Sequence, residues 1–234
     1  MKENRDPEKL IKGAKELGIT LDDKKTEQFL LFHEMLCKTN QVMNLTAVTE
    51  WEEVVRLHYL DSLSFVKVCL PGSETLLDLG TGAGFPGIPL KIAFPELAVT
   101  LVDSLEKRVG FLREAAKKLG LSDLQILHAR AEDLGREEGH RETYDFVVSR
   151  AVAGLNVLSE YCIPFVKIGG VFVSYKGENV HEEAAGADEA IHTLGGRLER
   201  IVPYEKHTLV VISKEKPAPL KYPRRAGVPK KKPL

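Results

Sequence analysis

Four glycines and two acids give the first chemical signal in the chain. Residues 76–91 read Leu-Leu-Asp-Leu-Gly-Thr-Gly-Ala-Gly-Phe-Pro-Gly-Ile-Pro-Leu-Lys: an apolar run holding Asp78, then glycines at 80, 82, 84 and 87. Glycine tolerates positive φ and lets backbone approach closely, so such a turn presents bare N–H groups to a ligand. Asp103 closes the next apolar run, where an acid can accept both hydroxyls of a ribose. Strand, glycine turn, helix and acid together open a nucleotide-binding α/β unit.

Charge separates the possible ligands. Gly82-Ala-Gly84-Phe-Pro-Gly87 matches the dinucleotide pattern Gly-x-Gly-x-x-Gly, the mark of an NAD-type oxidoreductase. A pyrophosphate over the turn would be repelled by Asp78. S-adenosylmethionine brings an ammonium and a sulfonium instead. At ~6 Å and an effective dielectric of ~20, a carboxylate–ammonium pair gains roughly 3 kcal/mol before desolvation. Asp103 serves either ligand and equally suits a helix N-cap. Ala131-Glu132, after the third strand, can bracket an adenine edge or form an ordinary polar loop. No second α/β half follows, as a dehydrogenase would need, so the methyl-donor reading leads.

Other chemistries find little support. The three cysteines, 37, 69 and 162, are too scattered for a disulfide framework or a metal spacing, and the seven histidines have no ligating context. No metal is expected. No apolar run approaches the ~20 residues that span a bilayer, and Met1-Lys-Glu-Asn-Arg-Asp opens no signal segment, so a cytoplasmic protein is expected. The net charge of −1 hides an asymmetry: residues 214–234 carry eight lysines and arginines against Glu215, leaving −8 on the rest. Such a tail suits a polyanionic partner or a solvated, disordered terminus.

The elements that must position these residues follow from periodicity. A helix over 7–17 has Leu10, Ile11, Ala14 and Leu17 on one face. A second runs over 22–40 with Phe29, Leu30, Leu36 and Cys37 inward. A third, reaching about Val68, starts at a capping box of Thr49 and Glu52. Residues 1–70 thus read as a helical cap. Strands over 75–79, 98–103, 125–128, 145–149 and 171–175 then alternate with helices near 86–93, 105–119, 155–166 and 180–193. The 105–119 helix has Leu105, Val109, Leu112, Ala116 and Leu119 inward. Near-continuous apolar strands separated by helices imply a parallel sheet covered on both faces. The runs 197–202 and 207–212 are linked by four residues, too few for a crossover, so they pair antiparallel. The expected fold is an α/β, Rossmann-like, mostly parallel seven-stranded sheet closed by an antiparallel hairpin. Its core spans 71–213 and its basic tail 214–234, all in one structural unit.

More specific matches run along nearly the whole length. They are Asn44-Leu-Thr-Ala47, His58-Tyr-Leu-Asp61-Ser-Leu63, Asp78 through Gly87, Asp103…Lys107-Arg108…Phe111-Leu112, Ala131-Glu132, Ser149-Arg-Ala-Val-Ala153, Lys176-Gly177 and Tyr222-Pro-Arg224…Gly227…Pro229-Lys230. With these the chain resembles the bacterial RsmG (GidB) family, class I methyltransferases acting on guanine N7 of 16S ribosomal RNA. The resemblance implies S-adenosyl-L-methionine as cofactor and the small ribosomal subunit or its assembly intermediate as partner. It also implies donor contacts from Gly80, Phe85, Ala131, Glu132 and Arg150, beside Asp78, Gly82, Gly84 and Asp103 already singled out.

Guanine N7 carries an in-plane lone pair and no proton, so attack on a methyl group needs no general base, and catalysis reduces to alignment. Recognition must leave N7 free, so the other guanine edge, O6 or a stacking plane should be read. Asn44, His58, Asp61, Arg150 and Lys176 are the candidate substrate-positioning residues. His58–Asp61 serves equally as a structural pair, and Asn44 as a loop cap. Arg224, Arg225, Lys230, Lys231 and Lys232 are the expected RNA-backbone contacts. A monomer is the simplest assembly. A non-catalytic RNA-binding or assembly factor with the same fold stays open as the alternative.

Overall fold

The computed structural model describes residues 5–177 and 180–234. Helices α1 (Glu8–Glu16) and α2 (Asp23–Met43) come first. Asp22 caps α2 by accepting from Lys25 N at 2.8 Å, and Asn44, left-handed at φ 48°, ends it. The buried face of α2 is Thr26, Phe29, Phe32, His33, Met35 and Leu36; Leu30 and Cys37 sit at its margin. Of the stripe expected on α1, Leu10 and Ala14 are buried and Ile11 is exposed.

The third helix is continuous but not uniform. It passes from α3 (Trp51–Val54) through a π-helical segment, Val55–Leu60, to α4 (Asp61–Leu63) and a 3-10 turn, Ser64–Lys67. The expected capping box is absent: Glu50 stands at the N-cap with no side-chain bond, and the Thr49 carbonyl faces His33 Nε2 instead. π-helical turns are rare and concentrate at functional sites. This one carries His58.

Strands β1 (Thr75–Leu79), β2 (Ala98–Asp103), β3 (Leu124–His128), β4 (Tyr144–Arg150), β5 (Val166–Lys176), β6 (Gly196–Tyr204) and β7 (His207–Lys214) form one sheet in the order β3-β2-β1-β4-β5-β7-β6. The pairings through β5 are parallel, whereas β7 runs antiparallel to both β5 and β6. Between the strands lie α5 (Gly87–Ala93), α6 (Glu106–Leu119), α7 (Ala131–Leu134), α8 (Leu155–Cys162), α9 (His181–Gly186) and α10 (Asp188–Thr193). The helix expected over 180–193 is therefore two pieces. On α6 the inward residues are Val109, Phe111, Leu112, Ala115 and Leu119, while Leu105 precedes the helix and is exposed.

Two apolar clusters flank the sheet. Leu10, Phe29, Phe32 and Tyr59 pack in the same cluster as Leu76, Val99 and Val173, so the N-terminal helices and one sheet face share a core. The other face buries Leu158, Ile163, Ile191 and Tyr222 against Leu77, Val147 and Phe172. The strand order changes direction between β1 and β4, and the crevice beyond their carboxyl ends is where open α/β sheets bind ligands.

Residues 217–234 form an ordered strap, not a solvated tail. Their backbone carbonyls accept from Arg141 (Ala218 at 2.8 Å, Tyr222 at 2.7 Å) and Arg136 (Pro223 at 2.7 Å). Glu142 accepts from Ala218 N at 2.7 Å. The short helix α11 (Val228–Lys231) follows. Lys214, counted above in the basic tail, ends β7 and is buried against Glu142 and the carbonyls of Ile163 and Leu194.

Candidate active site

The turn after β1 is built around Asp78. This carboxylate is fully buried behind the glycines; its Oδ2 accepts from Thr81 Oγ1 at 2.6 Å and from Gly87 N at 2.8 Å. Gly80, Gly82 and Gly84 all have positive φ, the conformation that lets the chain reverse over the carboxylate. Gly87 is required for a different reason. A Cβ there would lie 2.3 Å from Leu101 Cδ2 and 2.9 Å from Asp78 Oδ2. Gly87→Ala should therefore cost about 2 kcal/mol or more by overpacking, read as a lower urea midpoint at unchanged slope.

Burial pushes the Asp78 carboxyl up to about 6, although the Thr81 and Gly87 hydrogen bonds and the charge of Arg150 pull the other way. Its Oδ1 is buried with no hydrogen-bond partner among the described residues. A buried carboxylate with one unpaired oxygen fits a ligand bringing positive charge to the turn and disfavours a pyrophosphate. Sequence reasoning places Asp78 in contact with the ligand; in the fold it stands behind the turn, bonded to Thr81 and Gly87, and is not in the lining of the cavity in front.

In front of the turn is a cavity of about 280 Å³, lined by Gly80 on the β1 side, Asp103 and Ser104 at β2, and Ala129 to Glu132 after β3. Asp103 Oδ2 accepts from Gly82 N at 2.9 Å and Oδ1 from Leu105 N at 2.9 Å, so one acid joins the turn to the start of α6. Glu132, nearly buried, accepts from Gly227 N at 2.9 Å. Val152 and Tyr161 complete the wall with Gly227 and Lys230 of the strap. Val152, Gly227 and Lys230 fall within the motifs quoted above, Lys230 being read as an RNA contact, whereas Tyr161 is not singled out by the sequence.

Phe85 does not line this cavity. Its ring is buried toward the N-terminal helices, 5.5 Å from Phe32, 6.1 Å from Tyr59 and 4.6 Å from His58, with Arg150 over it at 5.1 Å. The donor contact expected of it is therefore not made by its ring, which packs instead against His58 and Arg150 of a second cavity.

That second cavity, about 440 Å³, lies beyond the ends of β4 and β5 and is lined by His58, Asp61, Arg150, Tyr175, Lys176 and His207, among others. Arg150 is its hub. The guanidinium donates from Nη1 to Asp61 Oδ2 at 2.9 Å and to the Leu57 carbonyl at 3.0 Å, and Nη2 lies 3.4 Å from His58 Nδ1. His58 and Asp61 thus meet through Arg150 rather than as a pair of their own. Burial, and then the charge of Arg150, lower the His58 pKa to about 4, so the imidazole is neutral near pH 7. With Nδ1–H donating to the Leu57 carbonyl and the Thr46 hydroxyl donating to Nε2, the assignment this network favours, neither ring nitrogen is open to act as a base.

His207, which sequence reasoning missed, enters because β7 returns antiparallel beside β5. Its Nδ1 stands 2.8 Å from Asp61 Oδ1, at ion-pair distance but too poorly angled for a hydrogen bond. Lys176 is not free for phosphate: Nζ donates to the Ala153 carbonyl and to Glu183 Oε1, both at 2.7 Å, and Glu183 also accepts from Leu155 N. It holds the 151–154 loop in place. Within that loop Ala151, left-handed at φ 55°, lines the second cavity, and Val152 lines the first. Asn44 lies in neither lining; it is the exposed C-cap of α2.

Among the tail cations, Arg224 is committed internally. Its Nε and Nη2 clamp the fully buried Glu160 carboxylate, and its own N–H donates to Oε1 at 2.7 Å. That geometry withdraws it from RNA contact. Arg225, Lys230, Lys231 and Lys232 remain exposed. No group of three or more potential metal ligands clusters among the described residues, and no helix among them is long and apolar enough to cross a membrane.

The family profile described as GidB, rRNA small subunit methyltransferase G, matches residues 25–211. The chain belongs to this family. A ribosomal RNA small subunit methyltransferase G from Alkaliphilus metalliredigens is 51% identical over 229 residues, covering 95% of this chain and 96% of that protein. One from Acetivibrio thermocellus is 47% identical over 231 residues, covering 96% and 95%. Among solved structures, a SAM dependent methyltransferase from Aquifex aeolicus superposes with a TM-score of 0.53 at 22% identity, over 68% of this chain and 91% of that one. The methyltransferase G family assignment disposes of the dinucleotide reading of the glycine turn. It makes this chain an enzyme of RNA methylation with a class I methyltransferase fold.

Proposed function

We propose that the chain transfers a methyl group from S-adenosyl-L-methionine to N7 of a guanine in 16S ribosomal RNA, acting in the cytoplasm as a monomer on the small subunit or its assembly intermediate. The observation carrying this is the pair of cavities beyond the carboxyl ends of the strands: one walled by glycines and acids, the other by a cation, a carboxylate and aromatic rings, adjoining where Ala151 lines the second and Val152 the first.

The donor supplies, when bound, an electrophilic sulfonium methyl. In this reading Asp103 accepts the ribose hydroxyls, Ala131 and Glu132 bracket the adenine, and Asp78 favours the ammonium through its field. Gly80 must lack a side chain, because a Cβ there would stand 2.6 Å from Val152 Cγ2. In the second cavity Arg150, Asp61 and His207 hold the base by its edges and leave N7 exposed to the methyl, with His58 packed beside Arg150. Because N7 carries no proton, the neutral and fully engaged His58 is no handicap. Positive charge simply passes from sulfur to the purine, so the protein contributes alignment in a water-poor site. Lys176 and Asn44 act on the substrate only indirectly, through the loop and the helix end they hold.

Outward-facing Arg225, Lys231 and Lys232 are the proposed backbone contacts. Neutralising all three should lower the slope of log affinity against log salt by about 2, measured on small subunits by filter binding. The activity itself is tested by incubating the chain with donor and unmodified 30S subunits and digesting to nucleosides. The expected product is 7-methylguanosine by mass spectrometry, and its absence from every ribosomal substrate overturns the proposal.

A further inference from the structure

The strap reaches back about a hundred residues to complete the first cavity. Gly227 and Lys230 are in its lining, and Gly227 N donates to Glu132 Oε1. The strap is itself fixed to α8 by the Arg224–Glu160 clamp, one residue before Tyr161, which lines the same cavity. Lys231 and Lys232 are absent from that lining, and Lys230 makes no ion pair or hydrogen bond with the described residues.

We propose that the strap forms the adenine-side wall of the donor cavity and that Lys230 donates a hydrogen bond to a ring nitrogen of the bound adenine. The proposal rests on the reading that this cavity takes an adenosyl methyl donor. Direction along the sheet locates the adenine end. Gly80 and Val152 mark the methyl end at β1 and β4, Asp103 the ribose at β2, and the strap meets the cavity at Glu132, in the helix after β3. Charge agrees with that order. An ammonium beside the sulfonium would be repelled, whereas adenine is neutral and offers three ring nitrogens as acceptors. The basic segment then divides by position: Lys230 faces the donor, and Arg225, Lys231 and Lys232 face outward.

The test is calorimetric titration of the full chain with S-adenosylmethionine and S-adenosylhomocysteine, with no RNA present. Lys230→Met should weaken both about five- to tenfold, whereas Lys231→Met and Lys232→Met should change neither by more than twofold. Lys230 is exposed and unbonded, so its replacement spares the fold. The 1-, 3- and 7-deaza analogues of S-adenosylhomocysteine identify the acceptor. One of them should bind the parent chain several-fold more weakly, and that penalty should vanish in Lys230→Met. Parent-like affinity in Lys230→Met overturns the proposal, as does a loss that adds independently to every deaza penalty. If the parent chain binds neither adenosyl ligand, the reading of the cavity itself fails, and the strap proposal with it.

Discussion

Asp78→Asn should yield a chain that is more stable than its parent at pH 8 and binds the methyl donor about tenfold more weakly. The carboxyl sits at about 6 in the fold against 3.8 when unfolded, chiefly because it is fully buried. The folded chain therefore holds a proton that the unfolded chain releases between those values. Parent stability is highest below the unfolded value and falls as pH rises through the folded one. Two pK units correspond to about 3 kcal/mol lost by pH 8. The amide removes that slope. Its oxygen can keep the bonds from Thr81 and Gly87 while its N–H₂ stays unpaired, returning roughly 1–3 kcal/mol as cost. A net gain of about 1 kcal/mol at pH 8, absent at pH 4, is expected from urea unfolding across pH. Parallel curves for the two chains would show that Asp78 is not the titrating group. The donor loses affinity because a neutral amide no longer attracts its ammonium. A stability defect has then been kept at the turn because ligand charge relieves it, a familiar trade between stability and function.

Arg150→Met has the larger cost. Asp61, 2% exposed, loses its 2.9 Å partner and keeps only the badly angled His207. Removing one member of a buried ion pair typically costs 3–5 kcal/mol, because the remaining charge stays uncompensated. About 3 kcal/mol is expected here, since His207 is partly exposed and adjustable. Methyl transfer to 30S subunits should fall at least 10²-fold, as the base cavity loses the group that spans Leu57, Asp61 and Phe85. Two controls separate the effects. In Arg150→Met the His58 pKa, about 4 in the parent, should climb, because after burial the arginine charge is its largest depressing cause; imidazole proton NMR reads this directly. Adding Asp61→Asn should restore most of the stability by removing the orphan charge and restore none of the activity. If activity returned with stability, Arg150 would be a structural residue alone.

Much of the fold was legible for simple reasons. A four-residue link forces antiparallel pairing, and apolar runs with glycine turns mark parallel strands wherever the chain is read. The helix boundaries came close because periodicity and glycines fix them locally. What escaped depends on distant partners. Arg224 reads as an RNA contact until Glu160, sixty-four residues away, is found beneath it. Lys214 and Lys176 read as free cations until their carbonyl and carboxylate partners are seen. The strap reads as disordered because its order comes from Arg136 and Arg141 binding its carbonyls, and no periodicity records such bonds. Phe85 lies in a turn that reads as ligand-facing, yet Phe32, Tyr59 and His58 offer its ring a drier place. His207 joins the site only because β7 is neighbour to β5 and not to β4.

The two cavities share no lining residue and adjoin along the chain where Ala151 lines one and Val152 the other. Neither ligand must therefore cover the other's entrance, and no side chain between them is available to carry the methyl group. Initial-velocity plots with donor and RNA both varied should intersect, with either substrate able to arrive first, and the methyl should pass in a single step with inversion at carbon.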